Sequence, residues 1–264
     1  MRVALVGIDG VGKTTVLRRI RERDDIAVVH AVRAHEDPRS PFADLSAALA
    51  DASSAADELG RVQLKIAVLY LQLCLFGSAE RQAARRGPTL LADRHPLVDP
   101  LVYLPVFASV AGDTEPGGDV EDWWHKQETG AAEAVRDWLR TASGTADPWE
   151  LGTEVLRWGR LPLHELLGRL GRSFGVSLPD GIVLLDLPVE QALRRTHQRA
   201  RDSELHETRA FLSATRQRYG TVLDRLAEVR TGPAVRRVDC AGRSVDEVTA
   251  HVLDALDAMA RTRT

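Results

Sequence analysis

The stretch Gly7-Ile8-Asp9-Gly10-Val11-Gly12-Lys13-Thr14-Thr15 decides how the rest of the chain reads. It fits G-x-x-x-x-G-K-[ST], the phosphate-cradling P-loop. Arg2-Val3-Ala4-Leu5-Val6 before it is a short apolar run that reads as a buried strand. Val16-Leu17-Arg18-Arg19-Ile20 after it alternates apolar and basic residues in a way that suits a first helix. Strand, glycine turn and helix form the context a P-loop needs. Glycines let consecutive backbone N–H groups point inward, and the helix N-terminus adds its positive end to a site for anionic oxygens. Gly7, Asp9, Gly10, Val11, Gly12, Lys13, Thr14 and Thr15 are therefore the candidate nucleotide-binding set. Lys13 is expected to reach the β- and γ-phosphates of ATP, and the Thr14 hydroxyl to ligate Mg²⁺. Lysine is scarce: only Lys13, Lys65 and Lys126 occur, and one of them stands where a P-loop requires it.

The bulk properties narrow the class. A hydrophobic content of 44% with 28% charged residues describes an ordinary globular protein, and 264 residues suffice for one large α/β domain with an insertion. A net charge of -3 gives no reason to expect a nucleic acid polymer as partner. No run of 18 consecutive apolar residues occurs, so no membrane span is expected. The first strand begins at Arg2, which leaves no room for a signal peptide; with Cys74 and Cys240 far apart and without metal-ligand spacing, a cytoplasmic protein with reduced thiols is expected.

Further strands are read at Ile26–Val32, Thr89–Asp93, Gly181–Asp186 and Ala234–Val238. Helices are expected at Phe42–Ala50, over one long stretch from Asp57 to Arg86, and at Phe211–Arg230. A closing helix over Ser244–Met259 begins with the cap pair Ser244 and Glu247. The middle of the long stretch, Ile66–Phe76, is apolar nearly all round, which suits either a core helix or a subunit interface. The loop Arg33–Pro41 carries Arg33 and Arg39 as candidates for holding an acceptor phosphate. From Pro105 to Ser177 the pattern is that of a helical insertion ahead of the fourth strand, bearing tryptophans that read as core or interface anchors.

Two carboxylates compete for the magnesium role, Asp93 at the end of Thr89-Leu90-Leu91-Ala92 and Asp186 at the end of Ile182-Val183-Leu184-Leu185. Asp93 is favoured because Arg94 follows it directly, placing a phosphate-binding guanidinium beside the carboxylate. Arg195 and Arg199 stand four apart on one helical face with Arg201 nearby. In a phosphoryl-transfer site they would form a lid over residues 194–207, supplying positive charge and excluding water. The candidate catalytic residues are thus Lys13, Asp93, Arg94, Arg195, Arg199 and Arg201, with Thr14 and Asp93 as metal ligands.

The order GxDGxGKT at Gly7–Thr14, Asp93-Arg94-His95, Pro179-Asp180 and Leu185-Asp186-Leu187-Pro188-Val189-Glu190 resembles thymidylate kinase. Phe211, Tyr219, and Val238-Asp239 with Ser244-Val245-Asp246-Glu247-Val248 also fit that family. The resemblance implies a P-loop NTPase fold, a five-stranded parallel sheet flanked by helices, and usually a homodimer through long helices. It implies ATP and Mg²⁺ as cofactors and a nucleoside monophosphate, dTMP or a related nucleotide, as acceptor. Asp9 would lie near the acceptor's phosphate and sugar, Arg94 would bind that phosphate, and Arg195, Arg199 and Arg201 would form the lid. The chain departs from the family in three places. Leu5-Val6 stands where Phe-Glu is usual, Arg33–Pro41 replaces an Arg-Glu-Pro-Gly-Gly-Thr loop, and the interval from Asp93 to Asp180 is much longer. These departures imply intact phosphotransfer machinery beside a rebuilt acceptor site. A deoxynucleoside or small-metabolite kinase with Asp93 or Asp9 as base, and a nucleotide-binding regulator without transferase activity, are the alternatives.

Overall fold

Five short segments, spaced by helices, form the five strands of one sheet. The computed structural model describes residues 1–37, 40–112, 115–199 and 208–262, with the side chains of residues 198 and 199 outside that description. In chain order the elements are β1 (Arg2–Val6), α1 (Lys13–Ile20), β2 (Ile26–His30), a 3-10 turn (Ala34–Glu36), α2 (Ala43–Leu59), α3 (Val62–Leu73), α4 (Phe76–Ala83) and β3 (Thr89–Asp93). They continue with α5 (Asp99–Val110), α6 (Asp119–His125), α7 (Thr129–Ser143), α8 (Pro148–Trp158), α9 (Leu163–Phe174), β4 (Gly181–Asp186), α10 (Val189–Arg199), α11 (Arg209–Glu228), β5 (Ala234–Asp239) and α12 (Val245–Arg261). The chain forms two compact units: Met1–Val29 with Glu80–Val102 and Ser177–Thr264, and His30–Ala79 with Tyr103–Val176.

The first unit is built on the parallel sheet, in the order β2-β3-β1-β4-β5. Parallel strands need crossover connections and are buried on both faces, which is why β1, β3 and β4 are almost wholly apolar and inaccessible. β5 is an edge strand and carries exposed Arg236 and Arg237, charges that discourage pairing with another chain. α1 packs on α12, α12 also meets β4 and β5, and α11 covers β5 and α10. Ser244 and Glu247 form the expected capping box at the start of α12. β1 connects onward to β2 on one side of it and β3 to β4 on the other, a switch point at whose strand C-terminal ends open α/β sheets bind ligands. Register sets Leu5 of β1 beside Asp93 of β3 and Val6 beside Leu184 of β4, which brings the P-loop and Asp93 to the same edge.

α5 contains Pro105 in its interior. A proline has no N–H for the carbonyl four residues earlier. Leu101, which holds that carbonyl, instead accepts a hydrogen bond from Arg218 Nη2 on α11 at 3.3 Å. This supply from outside the helix explains how a half-buried guanidinium and a mid-helix proline coexist.

The second unit is helical. α3 packs against α8 and α2, and α2 also meets α7 and α6. Gly152 permits the close approach of α8 to α3: a Cβ there would lie 1.9 Å from the Gln63 carbonyl oxygen. Trp123 is fully buried and donates to the Ala52 carbonyl at 2.8 Å, and Trp138 donates to the Leu71 carbonyl at 3.0 Å. Trp123 and Trp138 thus act as core anchors, each N–H finding a backbone acceptor.

Several boundaries differ from the sequence reading. The long helix expected from Asp57 to Arg86 is three segments. α2 extends to Leu59, where Gly60 takes a left-handed conformation (φ 67°) and closes it, and a second break falls at Cys74-Leu75. Gly60 is the signal that was passed over, since glycine adopts positive φ at little cost and so ends helices. β2 stops at His30, two residues short of the expected Val32. The segment Val62–Ala83 is, by length and composition, apolar enough to cross a membrane, against expectation, yet 72% of its most apolar window is buried within the protein. Ten of the twelve α3 residues are buried, Lys65 included, which accounts for its apolar circumference as core packing. Lys65 offsets its burial by pairing with Asp57 and donating to Ser53 Oγ at 2.9 Å.

Candidate active site

The loop between β1 and α1 places three glycines at positive φ: Gly7 at 149°, Gly10 at 82° and Gly12 at 105°. Two of them are also sterically obligatory. A Cβ on Gly7 would sit 2.5 Å from the Leu185 carbonyl oxygen, and one on Gly10 2.5 Å from that of Ala192. Gly12 differs. A Cβ there would meet only Arg195 Nη1 at 4.0 Å, so the loop is open on that side and bordered by a cation. Gly12 also caps α1, and no side chain closes that helix N-terminus. Backbone N–H groups at an uncapped N-terminus, a glycine cradle and an adjacent guanidinium together suit an anion of several charges, as a polyphosphate is.

Lys13 is 7% exposed, and its ammonium donates to the carbonyls of Gly7 at 2.7 Å and Ile8 at 3.1 Å. Burial, and then the Arg94 charge, pull its pKa below the ordinary lysine value, while Asp9, Asp93 and Asp99 oppose the shift. Asp9 Oδ1 lies 3.9 Å from the ammonium. Asp93 is buried at the C-terminal end of β3. Thr14 is half-buried in the first turn of α1 and Thr15 is exposed. A hydroxyl and a carboxylate are hard oxygen donors, a set that fits Mg²⁺ with phosphate oxygens and water as its other ligands.

Arg94 has the one positive φ among the described non-glycine residues, 65°. Such a conformation costs on the order of 1–3 kcal/mol and persists only where surrounding contacts impose it. Those contacts are present. The Arg94 N–H donates to the Leu5 carbonyl at 3.2 Å, Nη2 donates to Asp9 Oδ1 at 2.5 Å, and Nη1 lies 3.7 Å from Asp99 Oδ1. Asp99 is buried in the first turn of α5. Its Oδ2 accepts from the His95 N–H at 2.6 Å and its Oδ1 from the Tyr219 hydroxyl at 2.7 Å. Burial raises the Asp99 pKa, and the Arg94 charge and the Tyr219 hydrogen bond act against that rise. His95 is 1% exposed, and its Nδ1 accepts from the Leu97 N–H, so a neutral ring carries its proton on Nε2. Burial, and then the charge of Arg2, lower its pKa to about 3, which keeps the ring neutral at pH 7 and removes it as a base.

Arg195 is half-buried and donates from Nη1 to the Val11 carbonyl at 3.3 Å, so α10 brings this arginine to the P-loop. The Arg199 side chain and Arg201 lie outside the described residues, as does Arg39. Arg33 belongs to the second unit, where it faces Glu36 at 3.5 Å. Asp186, the competing carboxylate, is gripped by Arg216 through Nε and Nη2 at 2.7 and 2.8 Å. Lys13, Asp9, Asp93, Arg94 and Arg195 all belong to the first unit. Sequence reasoning missed Asp99 as a partner of Arg94. The signal available was an acidic residue opening a helix four positions after His95, a pattern too common to single it out. Tyr219 fitted the family pattern but carried no hint of its contact.

Taken together, the five-stranded parallel sheet, its flanking helices and the glycine loop after β1 form a P-loop fold, which solved structures share. The chain is similar to deoxyadenosine kinase from M. mycoides, solved with products dCMP and a flexible dCDP bound, at 12% identity and a TM-score of 0.52, covering 98% of this chain and 100% of that chain. It is also similar to thymidylate kinase from Candida albicans at 13% identity and a TM-score of 0.53, covering 97% and 91%. At these identities the likeness is one of fold. No protein-family model matches the sequence, and no curated protein matches it.

Proposed function

We propose that the chain is an ATP- and Mg²⁺-dependent phosphotransferase whose acceptor is a nucleoside monophosphate, dTMP or a related or modified nucleotide. The observation that carries this reading is the meeting of Lys13 and the open α1 N-terminus with the Asp93-Arg94 pair through the adjacent strands β1 and β3. Lys13 exchanges its loop carbonyls for phosphate oxygens, and the added negative charge offsets the cost of its burial. Thr14 and Asp93 would hold Mg²⁺, which supplies charge neutralisation at the transferring phosphoryl group. Arg94 presents a planar guanidinium suited to two phosphate oxygens, and Arg195 adds charge on the nucleotide side. An acceptor phosphate oxygen is already anionic at pH 7, so no strong base is required. The reading carries with it a homodimer, which light scattering on the purified chain would address.

A hydroxyl acceptor is the second reading. Asp9 is in direct contact with Arg94 and close to Lys13, so a carboxylate stands beside both cations of the site and could take a hydroxyl proton. ADP release from ATP and Mg²⁺ separates the two, using dTMP, dUMP, the other nucleoside monophosphates, free nucleosides and a control without acceptor. Turnover with a monophosphate supports the first reading, and turnover with nucleosides alone supports the second. ATP binding without turnover on this panel would overturn the first reading and point to a non-nucleotide acceptor or to a regulator.

A further inference from the structure

We propose that Tyr219 and Asp99 are positioning residues that hold the Arg94 guanidinium for acceptor binding. The inference rests on the reading of Arg94 as the acceptor-phosphate residue.

A guanidinium is flat, and its donors leave it in fixed directions. Holding two of its edges therefore fixes the plane it presents. One edge of Arg94 is held from the P-loop by Asp9 Oδ1, and the other faces Asp99 Oδ1. Asp99 is itself immobilised at both oxygens, by the His95 N–H on Oδ2 and the Tyr219 hydroxyl on Oδ1. The oxygen that faces Arg94 is the same one that takes the tyrosine hydroxyl. Tyr219 is 0% exposed and Asp99 5%, so water has no ready access to replace that hydroxyl. α11 is further pinned to α5 by Arg218 on the Leu101 carbonyl, two residues from Asp99. A long helix distant in sequence thus bears, through Asp99, on the residue that follows β3. Neither Asp99 nor Tyr219 touches the P-loop glycines in any hydrogen bond described above, and their action falls on Arg94.

Tyr219→Phe keeps the ring and removes one buried hydrogen bond. We expect it to raise the acceptor KM about tenfold, with the ATP KM within twofold of wild type and kcat within threefold. In an Arg94→Ala background the same change should add less than twofold, because its effect passes through Arg94. Asp99→Asn, of equal size, should move the acceptor KM in the same direction and carries the test should Tyr219→Phe not fold. An unmoved acceptor KM, a parallel rise in both KM values, or a full additive effect on Arg94→Ala would overturn the positioning role. Wild-type enzyme inactive on every acceptor would overturn the kinase reading and this inference with it, an outcome distinct from active wild type with unaltered variants.

Discussion

Arg216 grips Asp186 with two parallel hydrogen bonds, Nε to Oδ1 at 2.7 Å and Nη2 to Oδ2 at 2.8 Å, across 30 residues of sequence. That contact separates two carboxylates that look alike in sequence, each closing an apolar strand. The hydrogen bonds from Arg216 hold the Asp186 carboxyl below its ordinary range and commit it to a structural pair at the end of β4. Asp93 closes β3, next to the strand that leads into the P-loop. Asp93→Asn is therefore expected to raise the Mg²⁺ concentration required for half-maximal turnover by tenfold or more, as an order of magnitude. Asp186→Asn is expected to leave it within about twofold and to cost about 1 kcal/mol or less in urea unfolding, since the pair is partly solvated. Magnesium titrations of the two variants make the comparison.

Lys13→Ala removes the ammonium that the P-loop carbonyls hold in place. Acceptor-dependent ADP release is expected to fall by about a thousandfold or more, with the circular dichroism spectrum unchanged. Full activity in this variant would refute the P-loop assignment.

Arg94→Ala relieves a left-handed residue and frees Asp9 and Asp99 of a shared cation. Its expected signature is kinetic and one-sided: an acceptor KM raised by about thirtyfold or more, against an ATP KM changed by less than about threefold. Initial-rate measurements with each substrate varied in turn would show it. Equal effects on both would place Arg94 outside the acceptor site.

The P-loop glycines are not equivalent. Gly10→Ala combines a positive φ of 82° with a Cβ 2.5 Å from the Ala192 carbonyl oxygen, whereas Gly12→Ala has the positive φ and open space. Gly10→Ala is expected to destabilise by roughly 3 kcal/mol or more and Gly12→Ala by about 1–2 kcal/mol. Urea midpoints at constant m-value would rank them. The reverse order would contradict the packing described at Gly10.

Acid stability carries the mark of His95. Its folded pKa is about 3 against an ordinary value of 6.5, so between those limits the unfolded chain binds more protons and stability falls as pH falls. From pH 7 to pH 4.5 the loss attributable to this ring is about 2–3 kcal/mol. Asp99 works in the opposite sense, because burial raises its pKa and protonation then favours the folded state. His95→Gln should flatten the decline in unfolding free energy between pH 6.5 and 4.5. An unchanged slope would assign acid sensitivity to other groups.

What the sequence by itself determined are the features whose signals are contiguous. The P-loop is a run of nine residues flanked by its own strand and helix, the strands β1, β3 and β4 are built on short apolar runs, and the Ser244–Glu247 capping box spans one helical turn. Such patterns are legible because backbone geometry and local hydrogen bonding act over a few residues. The helix ends at Gly60 and Cys74-Leu75 were lost because an apolar stripe continued across them and masked the breaks.

Only the tertiary structure decided the partners. Arg94 reaches Asp9 across 85 residues, Tyr219 reaches Asp99 across 120, and Arg218 reaches the carbonyl that Pro105 leaves without its helical donor across 117. Asp186 likewise takes Arg216 as its partner across 30 residues, a pairing that no spacing signals. Burial makes a partner obligatory for each of these polar groups, but which residue supplies it depends on how distant elements pack, and no spacing along the chain encodes that.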